Sequence, residues 1–181
     1  MKKQMTLRKT VLAAIFLAIG LILPFITMQI PAVGNMLCPM HIPVLLGGFI
    51  LGWPYGLIVG FITPLFRSIV YGMPMMLPNA VCMAFELAAY GFVAGFLSNK
   101  MRKDMKSLYI VLIAAMLIGR IVWGLVSAII YTLMGAEFTW KLFFMSGFVN
   151  AIPGILIQLI LIPILVNRLY ADGVVRAAYQ G

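Results

Sequence analysis

Residues 108–134 read LYIVLIAAMLIGRIVWGLVSAIIYTLM, an apolar run whose only charged side chain is Arg120. About 20 predominantly apolar residues carry a helix across the hydrocarbon core of a bilayer, and a surface helix of a water-soluble protein would show a polar face along such a length. The stretch therefore predicts a transmembrane helix. It is preceded by the basic segment SNKMRKDMK at 98–106 and followed by GAEFTWK at 135–141.

The rest of the chain has the same character. Of its 181 residues 64% are hydrophobic and 9% charged, whereas soluble domains carry about a quarter charged residues. Further helices are predicted at approximately 7–26, 42–52, 57–70, 79–97 and 142–166, giving six spans with that at 108–134. The expected fold is an all-α integral membrane bundle of six transmembrane helices, residues 1–181 forming one transmembrane domain without a separate soluble module. The second and third spans are interrupted by Gly and Pro, so a tightly packed or broken pair is expected there. No internal repeat is evident.

The formal net charge of +9 does not point to nucleic acid, because the charges are placed as in a membrane protein. Lys2, Lys3, Arg8 and Lys9 precede the first apolar run, Lys100, Arg102, Lys103 and Lys106 share the central loop, and Arg168 and Arg176 lie in the tail. This positive-inside pattern places both termini in the cytoplasm. TMQIPAVGNMLCPMHIP at 27–43, YGMPMMLP at 71–78 and GAEFTWK at 135–141 become outer connections, and GWPYG at 52–56 a tight inner turn. The first of these is long enough to fold over a bound molecule. Cys38 and Cys82 have neither metal-ligand spacing nor a disulfide framework, although a bridge near the outer surface is geometrically allowed.

Ionisable side chains within a span cost roughly 2.5–3.5 kcal/mol each to insert, so they have partners or a task. Arg67, Glu86 and Arg120 are such residues. They can form a structural ion pair, Glu86 with either arginine, or face a ligand. Helical spacing puts Asn79, Met83, Glu86 and Tyr90 on one stripe, and Arg120, Trp123, Ser127 and Tyr131 on another. Ser146, Asn150 and Gln158 add polar groups in the last span. Polar stripes on three spans suit a wet or ligand-filled cavity. Ser127 and Gln158 read individually as links between helices. His41, the only histidine, opens the second span as a capping residue or a ligand contact, and a histidine-based metal site is not expected. In the first span Thr10, Ala14 and Ala18 form a small-residue face that allows close approach of another helix, internal or from a partner. There is no phosphate-loop motif and no HExxH or GxSxG signature, so no catalytic residues are assigned.

Across nearly its whole length the chain resembles the substrate-binding S components of energy-coupling factor (ECF) vitamin transporters. The resemblance is carried by the basic start before TVLAAIFLAIGLILP (10–24) and by PMHIPVLLGGFILGWPYGLIVGFITPL (39–65), with Gly47, Gly48, Gly52 and Gly56 in the glycine-rich second helix and the turn after it. Ala14 and Ala18 match the AxxxA of the family's first helix. The resemblance implies a multi-pass protein of the bacterial cell membrane that captures a vitamin-like solute from outside. It also implies docking through Ala14 and Ala18 on a transmembrane coupling subunit carrying two ATPases. No cofactor is then expected on this chain itself, since the partner subunits use the ATP. Asn79, Glu86, Arg120, Trp123, Asn150, Tyr131, Arg67 and His41 are the candidate substrate-binding residues. A nitrogen heterocycle suits the Glu86 acceptor and the rings of Trp123 and Tyr131. A pantothenate-type carboxylate is the competing substrate if one arginine is free. A stand-alone secondary carrier and a purely structural membrane subunit remain the other readings.

Overall fold

The computed structural model describes residues 2–27, 36–102 and 104–171. Most of the first outer connection, together with Lys103 and Arg176, lies outside the described residues. Helix α1 (Lys2–Ile22) continues into a 3-10 turn at Leu23–Thr27. Then come α2 (His41–Leu51), α3 (Trp53–Tyr71), a π-helical turn at Met76–Ala80 leading into α4 (Val81–Lys100), and α5 (Met105–Leu133). The chain closes with α6 (Trp140–Phe144), a second π-helical turn at Met145–Val149, and α7 (Ile152–Ala171). The described residues include no strand.

Among the described residues, five stretches are helical, long and apolar enough to cross a membrane: Leu7–Phe25, Trp53–Tyr71, Met76–Lys100, Met105–Leu133 and Ile152–Tyr170. Helix α2 is different. At 11 residues it rises about 16 Å, roughly half the thickness of a hydrocarbon core. All of it except Ile42 is buried, as befits a helix that is apolar on every side.

Two local expectations change. The turn at GWPYG shrinks to Gly52, at φ 91°, because Trp53 and Pro54 already begin α3. Proline is at home in a first helical turn, where its missing N–H would have had no partner. The helix expected over 142–166 is divided at Asn150 and Ala151. Pro153 cannot donate back to the preceding turn, and its ring disfavours helical geometry just before it.

Helix α4 is central, packing against α2, α3 and α5. Its approach to α3 is backbone to backbone. A Cβ on Gly91 would stand 2.1 Å from the Gly56 carbonyl oxygen, and one on Gly60 would stand 2.2 Å from that of Leu87. Gly56 and Gly60 on α3, and Gly91 and Gly95 on α4, are each four residues apart, so both helices present a Gly-xxx-Gly face. In a bilayer, where apolar side chains gain little by leaving lipid, such close contact is a main source of helix association. The apolar core gathers around this pair, from Val44, Leu45 and Phe49 of α2 to Leu87, Leu112 and Ala115.

Candidate functional site

Glu86 sits on α4 one turn before Tyr90, and both are fully buried. Arg120, midway along α5, places Nη1 2.9 Å from Glu86 Oε1. His41, the first residue of α2, places Nε2 3.4 Å from the same oxygen. Three helices thus converge on one carboxylate. The Tyr90 hydroxyl interacts with both charged groups, and its ring meets the His41 ring edge to face at 5.0 Å between centroids. Gly119 makes room for this arrangement, since a Cβ there would lie 3.0 Å from the Tyr90 ring. Arg120 Nη2 also lies 3.7 Å from Cys38 Sγ. Cys38 has φ 47°, a left-handed conformation unusual outside glycine. Cys38 and Cys82 are both buried and unbridged.

Beside this cluster is a cleft of about 190 Å³. Met116, Leu117 and Arg120 of α5, Tyr90 of α4, Phe148 and Ile155 form much of its wall. Glu86 and His41 do not line it. Their place is behind Arg120, where they fix the guanidinium and offset its charge. The cleft is thus an apolar chamber with one cation and one phenol on its wall, suited to holding a small molecule. Among the described residues no group of His, Cys, Asp and Glu side chains is placed to hold a metal ion.

A family model described as the substrate-specific component of ECF transporters matches residues 8–166. The chain belongs to this family. It is accordingly a multi-pass membrane protein and the substrate-specific subunit of an ECF importer, of the kind that binds a small molecule and associates with an ECF module. Comparison with curated proteins and with solved structures gave no match.

The S component brings together only some of the residues singled out by sequence. Glu86, Arg120 and His41 meet, and of the two arginines open as partners for Glu86 it is Arg120 that pairs with it. Arg67 is buried elsewhere, donating from Nη1 to the Leu21 carbonyl. Trp123, one turn from Arg120, stacks with Phe143 at 6.1 Å and also meets Phe138. Tyr131 joins the same aromatic group through Phe138 at 5.5 Å. Asn79 and Asn150 are exposed. Each adjoins an irregular turn, Asn79 within the π-helical turn before α4 and Asn150 at the break before α7, where stripes counted at 3.6 residues per turn lose their register. Ser127 and Gln158 are buried.

Sequence reasoning weighed Cys38 only for a metal or a disulfide and not as a neighbour of Arg120, and it did not single out Gly119 or the apolar wall of the cleft. Gly119, directly before the intramembrane arginine, carried a usable signal: a small residue there leaves space for a large neighbour. Cys38 and the cleft residues carried none, since one Ile or Leu in an apolar helix looks like any other.

Proposed function

We propose that this S component is the high-affinity subunit of an ECF-type ABC importer, capturing a water-soluble vitamin or heterocyclic vitamin precursor from outside and passing it inward. The match to the family over residues 8–166 carries this reading. In it the chain crosses the membrane six times as one domain, and both ends of residues 1–181 face the cytoplasm of a bacterial cell. The basic side chains before α1 and between α4 and α5 favour that orientation. Substrate contacts Arg120 and Tyr90, and Glu86 and His41 hold the guanidinium in place. A nitrogen heterocycle is the preferred substrate class, its acceptor facing Arg120.

Transport requires partners in this reading: a transmembrane coupling subunit and two ATPases, which use the ATP, so that the S component needs no cofactor of its own. Ala14 and Ala18 are the docking surface. Both are exposed on α1, next to the exposed side chains of Val11, Ile15, Ile19 and Ile22. Replacing Ala14 or Ala18 by Trp is expected to abolish uptake in cells while leaving substrate binding by the purified protein intact. Unchanged uptake would remove α1 as the docking helix, and lost binding would show that this face supports the fold.

Mass spectrometry of small molecules released by denaturing the purified protein tests the central claim. A vitamin-like compound at one equivalent is the expected result. No compound, and no saturable binding of vitamins or their precursors, would overturn it.

A further inference from the structure

Where α4 runs into the basic segment, its exposed flank carries a strip of rings that ends in a cation. Phe92, Phe96 and Lys100 recur every four residues and so share one face of the helix. The Phe92 and Phe96 rings stack at 5.6 Å between centroids and 11° between planes. Lys100 Nζ stands 4.2 Å from the Phe96 centroid, and Trp53 of α3 meets Phe92 edge to face at 5.6 Å. The start of α3 is pressed against α4 at this level, since a Cβ on Gly95 would lie 2.3 Å from the Trp53 nitrogen. From Phe92 to Lys100 the strip runs about 12 Å along the helix.

The side chains of this strip are open to a ligand. Trp53 is 43% and Phe96 37% exposed, Lys100 is exposed and Phe92 half-buried. Among the described residues no carboxylate pairs with Lys100, the ion pairs present being those of Glu86. Residues 100–106 hold four basic side chains and one acidic, and the acidic one, Asp104, interacts with Ser107 and Arg102. The end of α4 therefore presents an excess of positive charge beside an aromatic wall. A cation at a helix C-terminus is favoured by the macrodipole alone, and Trp and Lys are common near membrane surfaces. Neither tendency requires an ammonium laid back over the last ring of a contiguous aromatic strip. That arrangement puts charge at the level of a headgroup and apolar surface at the level of the chain beneath it.

We propose that this strip binds one anionic phospholipid, its phosphodiester at Lys100 and an acyl chain along Phe96 and Phe92 toward Trp53. Charge complementarity selects the occupant. A zwitterionic lipid brings its own cation to the phosphate and leaves the positive excess of the segment unanswered, whereas an anionic lipid answers it, as juxtamembrane lysines and arginines do generally. The rings already pack on one another, so little side-chain freedom is lost when a chain lies against them. The site concerns the lipid that surrounds the S component and does not depend on which substrate the protein carries.

Native mass spectrometry of the full chain, released from detergent containing equal amounts of palmitoyl-oleoyl phosphatidylglycerol and phosphatidylcholine, tests the assignment. One phosphatidylglycerol is expected to be retained about fivefold over phosphatidylcholine, the weight of one lysine at an anionic surface. Lys100→Gln is expected to remove that preference. Phe96→Ala, which takes away part of the wall for the chain, is expected to lower phosphatidylglycerol retention about threefold. Arg168→Gln, which removes an exposed cation at the far end of α7, is expected to change neither. The three variants alter exposed side chains and are expected to elute like the unaltered protein in gel filtration. Equal retention of the two lipids, or a Lys100→Gln protein that keeps the preference, would overturn the proposal. An Arg168→Gln protein that loses the preference as fully as Lys100→Gln would show a diffuse basic surface in place of a site. Displacement of the lipid by glycerol 3-phosphate at equal concentration would mark an ion site in which the rings have no part, and retention of neither lipid would leave the strip to a protein partner; each of these overturns it as well.

Discussion

Arg67 and Arg120 are both buried within membrane-spanning helices, 2% and 6% exposed, yet their charges are met in different ways. Arg120 faces a carboxylate at 2.9 Å, with a histidine behind it and a cleft in front. Arg67 turns to the C-terminal end of α1, donating to the Leu21 carbonyl, with its guanidinium 5.0 Å from the centroid of Phe25 and 5.2 Å from that of Tyr71. Carbonyls in the last turn of a helix lack intrahelical partners and carry the negative end of its dipole, and aromatic faces attract cations. One arginine is neutralised by a carboxylate beside a cleft. The other is spread over weak partners and clamps α1 to α3. Buried charge alone does not mark a binding site; the partner that answers it does.

The contrast should be largest when each arginine loses its main partner. Glu86→Leu leaves Arg120 buried without a counter-charge, and breaking a buried pair from one side costs about 3–5 kcal/mol. A large fall in thermal stability of the detergent-solubilised protein is expected. Glu86→Leu combined with Arg120→Leu should recover much of that loss, because both charges are then gone. A double variant as unstable as the sum of the two single ones would show that Glu86 and Arg120 do not act as a pair.

Sequence carried the class of the fold because composition and run length decide between lipid and water, and residues 108–134 alone rule out a water-exposed surface. It carried Glu86 and Arg120 as residues needing an explanation, since a charge in an apolar helix is visible without a structure. Their pairing was not visible. Periodicity fixes which residues share a face of one helix, but not how neighbouring helices are rotated about their axes, so Arg67 and Arg120 were equivalent until packing separated them. The same limit applies to Gly56, Gly60, Gly91 and Gly95. Their spacing announces two close-packing faces, but only the assembled bundle shows that these faces meet each other. The short α2 and the divided last helix depended on Gly52 and Pro153, whose local effects are simple but whose consequence for span length needs the surrounding contacts.

Arg67→Met is the second test, and a smaller one. It keeps the length of the side chain and removes the charged hydrogen bond to Leu21, an interaction worth about 1.5–3 kcal/mol. Stability should fall by that order, with α1 the first element to loosen in hydrogen exchange, while substrate affinity stays within about twofold because Arg67 does not line the cleft. Loss of binding by a folded Arg67→Met protein would place Arg67 in the substrate site and dissolve the contrast between the two arginines.

The finest test separates the two rings around Arg67. Phe25 and Tyr71 touch each other edge to face at 5.0 Å as well as receiving the cation. Tyr71 is 40% exposed, so Tyr71→Leu should cost only about 0.5–1 kcal/mol, the range of a solvated cation–π contact. Phe25→Leu should cost a similar amount. Because each ring supports the other as well as the guanidinium, the double variant should depart from the sum of the single ones, and in the Arg67→Met background that coupling should shrink to the ring–ring contact alone. A coupling energy unchanged by removing Arg67 would mean that the rings hold α1 against α3 by themselves, with the arginine donating to Leu21 independently of them.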